Sequence, residues 1–237
     1  MGVGLAKMHE EIGGGFMECC IDVNTALESA DQLIMLRNFL KVLAVRRGQT
    51  VCYMPRWSEE ADSQSTHIHV SLRDGMQRYL PEMMLVFAPT VNSWRRFAEG
   101  TFAPHAFTWG IENRTTGFRV VGEDSQSRRV ENRLPGSDAN PYLFTAATLA
   151  AGLSGIEEKL EPTAPTVGNG YIPGAGEGEP LPVDMQSAID ALSSSKHARK
   201  TPGDQFVDAF ISTRSAQLES FKDKTLIDER KRFFELG

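Results

Sequence analysis

Residues 128–160 read RRVENRLPGSDANPYLFTAATLAAGLSGIEEKL, and the fold is decided there. Residues 129–134 alternate, which predicts a strand with Glu131 and Arg133 on one face and Val130 and Leu134 on the other. A carboxylate beside a guanidinium is read either as a structural ion pair or as part of a site, and spacing alone favours the ion pair. Asn140-Pro141 is a helix start, with an Asn cap followed by proline at the first position. Residues 142–156 are apolar or small on every side, the pattern of a buried helix, and Gly152 and Gly155 admit a close neighbour. Strand runs and helices alternate irregularly along the chain, which favours α+β over a doubly wound sheet.

Upstream, His67-Ile68-His69-Val70-Ser71-Leu72 alternates strictly, and short strands are expected at 49–54 and 118–121. Residues 9–22 read as a loop around Gly13–Gly15 followed by a strand. Thr25 and Glu28 fit a capping box, so a helix follows, carried by Leu33, Leu36, Leu40 and Leu43 and ended by Gly48. A further helix is expected over 81–98, interrupted at Pro89. Downstream, residues 163–182 hold nine Gly and Pro in twenty, a long ordered loop or a linker. Amphipathic helices follow near 183–194, 204–222 and 226–235. The expected division is 1–162 as a partial catalytic-type core, 163–182 as loop, and 183–237 as the helical remainder of the same domain.

The chain has 237 residues, 41% apolar and 24% charged, which argues against a disordered chain and suits one large domain or one domain with an appendage. Lys plus Arg is 25 against 31 Asp plus Glu, a net charge of −6, which argues against a general nucleic-acid binder. No stretch approaches the roughly 18 apolar residues of a membrane span. Cys19, Cys20 and Cys52 are too few and too oddly placed for a disulfide framework, so a reducing cytoplasm is the expected compartment. There is no P-loop, no nucleophile elbow and no paired CxxC.

Four features carry possible chemistry. His67 and His69 share a strand face, as a metal or phosphate site requires, or as two hydrogen-bonded histidines on a half-buried strand. Glu131 and Arg133 are the second. Between 95 and 133 there are seven arginines (Arg95, Arg96, Arg114, Arg119, Arg128, Arg129 and Arg133) and no lysine, which suggests an anionic ligand, with Arg95 and Arg128 read as solvated. Glu11 and Glu18 bracket a glycine turn, a donor type that hard divalent cations take. Cys19 and Cys20 are read as small core residues, not ligands.

Together HEEIGGGFMEC (9–19), THIHVSL (66–72), NSWRRFAEGTFAP (92–104), WGIENRTTGFRV (109–120) and the opening stretch resemble the C-terminal catalytic domain of the glutamine synthetase family. The likeness runs from about residue 8 to the end, and its most specific part is the signature R-x-E-x-R-x-P-x-x-x-A-N-P-Y-L at 129–143. It implies a curved antiparallel sheet flanked by helices. It also implies ATP-dependent amide formation between the glutamate γ-carboxylate and ammonia or an amine, through γ-glutamyl phosphate. By resemblance, Glu11 and Glu18 bind one Mg2+ or Mn2+ and His67 and Glu131 a second. His69, Arg114 and Arg119 handle ATP, Arg119 also acting on the transferring phosphoryl group, and Arg96 and Arg133 hold glutamate. The family's N-terminal β-grasp domain and an E-x-E pair of metal-binding carboxylates have no counterpart here, so the chain reads as N-terminally truncated, with each metal short of one carboxylate. The full-length form is expected to be a homo-oligomer.

Two substitutions stand out against the family pattern. Phe102 occupies the place of a glutamate that serves ammonium, which points to larger amines or polyamines and to the γ-glutamylpolyamine and γ-glutamylamide synthetases. Residues 62–66 (DSQST) replace a glycine-rich approach to the His-x-His strand. Two other readings remain open: an inactive domain that keeps nucleotide and metal binding or an assembly role, and a guanidino-kinase-type phosphotransferase.

Overall fold

The structure, a computed structural model, describes residues 2–71, 75–98, 101–122, 124 and 127–235. The Gly13–Gly15 segment reverses the chain, and β1 (Leu5–Glu10) pairs antiparallel with β2 (Met17–Ile21). Only β2 is expected from the sequence. LAKMHE is exposed almost throughout, so β1 carries no buried alternation to read. Helix α1 (Ala26–Arg46) starts at the expected capping box, and Gly48 just past its end takes φ 66°.

Residues 49–54 form no strand. Their carbonyls are taken by side chains instead: the Gln64 amide donates to Cys52 O and Met54 O, and the Ser137 hydroxyl to Tyr53 O at 2.8 Å. Met54, fully buried, packs with Leu226 and Phe233.

Strand β3 covers Ile68–Val70, so His67 precedes it and Ser71 follows it, and Leu72 lies outside the described residues. A short helix not expected from the sequence, α2 (Met76–Tyr79), comes first; the helix expected over 81–98 with an interruption at Pro89 is instead two single turns, α3 (Met84–Phe87) and α4 (Val91–Trp94), flanked by 3-10 turns at Pro81–Met83 and Arg95–Phe97. Pro89 cannot donate to a helix, and Thr90 with Ser93 forms a new capping box behind it.

Strands β4 (Trp109–Ile111), β5 (Phe118–Val121) and β6 (Arg129–Asn132) complete a sheet ordered β3-β6-β5-β4. The β3–β6 and β6–β5 pairs are antiparallel, while β4 joins β5 in parallel, so the sheet is mixed. The strand expected over 129–134 ends at Asn132, whose amide turns to Thr148 at 3.1 Å.

Thr148 lies on α5 (Pro141–Glu157), where Asn140 caps the amides of Tyr142 and Leu143. Phe118, Val120 and Val130 face α5 and form one core with Phe144, Ala147 and Ala151. Tyr142, Leu153 and Ile156 are exposed, so α5 is buried on one side and not all round.

Residues 163–182 are an ordered loop laced to β4 and its approach. Thr166 N donates to Trp109 O at 2.7 Å, Phe107 N to Glu179 O at 2.8 Å and Leu181 N to His105 O at 3.1 Å. Beyond it come α6 (Met185–Ser194), α7 (Lys196–Lys200), α8 (Asp204–Ser220) and α9 (Leu226–Phe233). Met185, Ile189, Leu192 and Val207 join the same core as the sheet. Among the described residues no helix is long and apolar enough to cross a membrane.

Candidate functional site

The strand register decides which polar side chains meet. His69 of β3, Glu131 of β6 and Arg119 of β5 stand in one row across the sheet, on the face opposite Val130 and Val120. Glu131 is 4% exposed, yet both its oxygens are engaged. His67 Nδ1 is 2.8 Å from Oε1, Arg133 donates to Oε1 at 3.0 Å, and Arg119 donates to Oε2 at 3.1 Å. Burial alone would raise the Glu131 pKa, but the His67 hydrogen bond and the charges around it hold the carboxyl well below the usual range. Burial pushes His67 the other way, towards a neutral imidazole, and its Nε2 meets Ser65 Oγ at 2.9 Å.

Three guanidiniums converge here, Arg96 and Arg133 buried and Arg119 half-buried. Arg96 donates to the carbonyls of Arg133 and Leu134, so a 3-10 turn and the end of β6 are tied together. Arg133 reaches the Phe102 carbonyl at 3.4 Å. Phe102 holds φ 56°, a conformation bulky side chains avoid, and the residue is 62% exposed. Arg96, Arg119 and Arg133 each keep a buried Nε with no hydrogen-bond partner. Unsatisfied donors on three neighbouring cations are what an anion would fill.

The other expected residues make no hydrogen bond or ion pair with Glu131 among the described residues. His69 is exposed and accepts from Arg129 Nε at 3.3 Å, and burial still lowers its pKa. Arg114 is exposed on a cleft of about 530 Å3 with Glu112, Asn113, Thr166 and Gly168. Glu11 and Glu18 belong to the β1–β2 hairpin. Among the described residues no hydrogen bond or ion pair joins them to His67 or Glu131, although the Arg114 charge acts on Glu11. A hydrogen bond with Glu18 holds the Glu11 carboxyl below its ordinary value. Two carboxyls facing each other in this way fit a cation, as do the oxygen and imidazole donors of Glu131 and His67.

Some neighbours lie beyond the sequence expectation. Glu112 pairs with Arg119, and Arg119 holds its carboxyl below the ordinary value. His9 sits between Glu11 and Glu18, 3.4 Å from each. Cys20, half-buried, donates to Glu18 at 3.4 Å. Arg95 is not a solvated residue: its Nε donates to both oxygens of the buried Glu229 of α9, at 3.0 and 2.9 Å.

A sequence model of the family described as glutamine synthetase, catalytic domain, matches residues 1–75 and 74–233. The chain is 34% identical to type-1 glutamine synthetase 2 of Dictyostelium discoideum, covering 99% of this chain and 50% of that protein. It is 33% identical to a glutamate–isopropylamine ligase of a Pseudomonas species, covering 90% of this chain and 52% of that one. It is also 33% identical to the gamma-glutamylethanolamide synthetase of Streptomyces coelicolor, covering 99% and 54%. The solved ADP complex of GmaS superposes with a TM-score of 0.84 at 27% identity, covering 98% of this chain and 60% of that one. The chain therefore spans about half the length of the curated relatives it matches. With the signature at 129–143 and the Glu131-centred sheet face both in place, the chain belongs to the glutamine synthetase catalytic-domain family.

Proposed function

We propose that this chain is the catalytic-domain core of an ATP-dependent ligase that joins the glutamate γ-carboxylate to an amine or ammonia. The observation that carries this reading is the Glu131 cluster: one ionised carboxylate meeting His67, Arg119 and Arg133, within a group of arginines that retain free buried donors.

Phosphoryl transfer needs positioning and charge neutralisation more than covalent help. A γ-carboxylate oxygen of glutamate attacks the γ-phosphorus of ATP and ADP leaves. The amine nitrogen then attacks the acyl carbon, loses a proton, and phosphate leaves. Divalent cations, Mg2+ or Mn2+, supply Lewis-acid neutralisation of the phosphates when bound. His67 and Glu131 are the residues to hold one, Glu11 and Glu18 the other. Arg96 and Arg133 bind the glutamate carboxylates, and Arg133 is anchored on the Phe102 carbonyl. Arg119 faces the transferring phosphoryl group, while His69 and Arg114 face the nucleotide.

The relatives named for isopropylamine and ethanolamide support an amine acceptor, and so does Phe102, which brings no charge to attract ammonium. The proposed setting is a cytoplasmic homo-oligomer in the full-length form, in keeping with three free cysteines. A second reading, nucleotide binding without turnover, is favoured by one observation: both Glu131 oxygens are already satisfied by protein partners.

Two measurements separate them. ATP with Mg2+ or Mn2+ at 100 times its dissociation constant stabilises a binding protein by about 2.7 kcal/mol in thermal denaturation. No shift with any nucleotide removes both readings. Phosphate release on adding glutamate and an alkylamine, faster than with ammonium, establishes the ligase. A shift without release leaves binding alone.

A further inference from the structure

The β1–β2 hairpin holds three donors of different chemistry on one face. His9 of β1 stands directly opposite Glu18 of β2, and Cys20, two residues further along β2, shares the Glu18 side. His9 Nε2 is 3.4 Å from Glu18 Oε2, and Cys20 Sγ is 3.4 Å from Glu18 Oε1. All three donor atoms lie within 4.8 Å of one another. We propose that His9, Glu18 and Cys20 form a three-ligand site for a Zn2+-class transition-metal cation, with its fourth position open.

The two 3.4 Å separations end on different Glu18 oxygens, so with one atom per ligand the three donors, all within 4.8 Å of one another, need only side-chain rotation to draw in around such an ion. Tetrahedral zinc with N, O and S ligands has ligand-to-ligand edges of about 3.3–3.7 Å, from bonds of roughly 2.0–2.3 Å. The tautomer suits it too. His9 Nδ1 faces two acceptors, the Glu10 carbonyl at 3.1 Å and Glu11 Oε1 at 3.4 Å. A donor at Nδ1 leaves Nε2 as the lone-pair nitrogen on the Glu18 side, the carboxylate–histidine–metal relay seen around zinc centres. The donor set selects the class. Mg2+ takes oxygen ligands and refuses thiolate, whereas imidazole, carboxylate and thiolate together suit zinc.

Lys7 lies opposite Cys20 in register and is exposed. Its charge opposes the cation, and its stem leaves it free to swing into solvent. Burial and Glu18 push the Cys20 thiol up to about 11, and Lys7 offsets only part of that, so the cation itself must displace the thiol proton. Cys19 points to the other face of the hairpin and takes no part.

The inference rests on the ligase reading only in placing Glu18 beside a cation. The class of cation and the two non-carboxylate ligands are new. A hard cation uses the Glu11–Glu18 pair, whereas a zinc-class ion uses Glu18 with His9 and Cys20 and leaves Glu11 orienting the imidazole.

The test is anaerobic titration of the reduced full chain with Co2+, followed by absorption. One equivalent should give a thiolate-to-cobalt charge-transfer band and tetrahedral d–d bands, both abolished by one equivalent of Zn2+. Cys20→Ser should lose the charge-transfer band and His9→Ala should weaken binding, while Cys19→Ser and Cys52→Ser keep the signal. The hairpin is exposed, so circular dichroism of the variants should be unchanged. A missing band in the wild type, a band that survives Cys20→Ser, or displacement by Mg2+ as readily as by Zn2+ overturns the site. A failed Co2+ titration with Mg2+–ATP stabilisation intact overturns this inference alone. A cobalt band with no Mg2+–ATP stabilisation overturns the ligase reading alone.

Discussion

Glu131 is the residue on which most depends. It is buried, ionised and surrounded by two guanidiniums and an imidazole, so removing its charge strands cations that have lost their water. Glu131→Ala is therefore expected to cost about 3–5 kcal/mol in chemical denaturation. Glu131→Gln keeps the shape and separates fold from site. It should retain more of the stability yet lose the nucleotide-dependent thermal shift, whereas exposed Lys222→Ala should change neither. Equal thermal shifts in Glu131→Gln and wild type would detach this cluster from the nucleotide. Glu131 is legible in the sequence because a two-residue period puts it on a strand face, and His67 and Arg133 are legible because they continue that period one residue beyond β3 and β6. Glu112 and Arg129 are not, since their partners Arg119 and His69 are supplied by other strands or by the return of a loop, which no local pattern encodes.

At the scale of elements, two joints are under the most constraint. Gly75 starts α2 with φ 80°, and a Cβ there would sit 2.1 Å from Ala151 O and 2.8 Å from Gly155 Cα on α5. This is the close neighbour that Gly155 admits. Gly75→Ala adds left-handed strain to a backbone clash, and is expected to cost on the order of 2–4 kcal/mol in denaturation. A neutral result would mean that α2 and α5 can part without loss. The second joint is α9, held by Arg95 on Glu229 and by Asn92 on the same carboxylate at 2.9 Å. Arg95→Met leaves Glu229 buried with only the amide as partner. Hydrogen exchange over residues 226–233 should accelerate, with protection in β5 and β6 unchanged. Helix starts are legible at Thr25 and Asn140, where a cap precedes a long apolar run, but not at Thr90 or Ser195, whose caps open helices of only four and five residues. The broken run over 76–97 and the hairpin strand β1 are not, because tertiary packing and pairing decide them.

At the scale of the molecule, the α+β class is legible because strand runs and helices alternate irregularly along the chain, but the parallel entry of β4 is not, since pairing direction is set by where the chain returns. The C-terminal helices close back on the core, and one contact makes that closure sensitive to pH. His197 of α7 stacks on Tyr79 of α2 with ring centroids 4.1 Å apart, and its buried Nε2 has no partner among the described residues. Glu82 and Glu158 face it with negative charge, Arg78 and Lys200 with positive, and burial outweighs them all, lowering its pKa below 6.5. The unfolded chain therefore takes up a proton that the folded chain resists. The neutral ring's contribution is complete above the ordinary value and is lost as pH falls towards the folded one. His197→Phe keeps a ring against Tyr79 and cannot be protonated. Denaturation free energies measured from about pH 7 to 5 should fall more steeply in the wild type than in His197→Phe, since carboxylate contributions are common to both and cancel in the difference. Parallel curves would show that His197 accepts its proton as readily folded as unfolded, and that the α2–α7 stack does not govern how the C-terminal helices hold to the sheet.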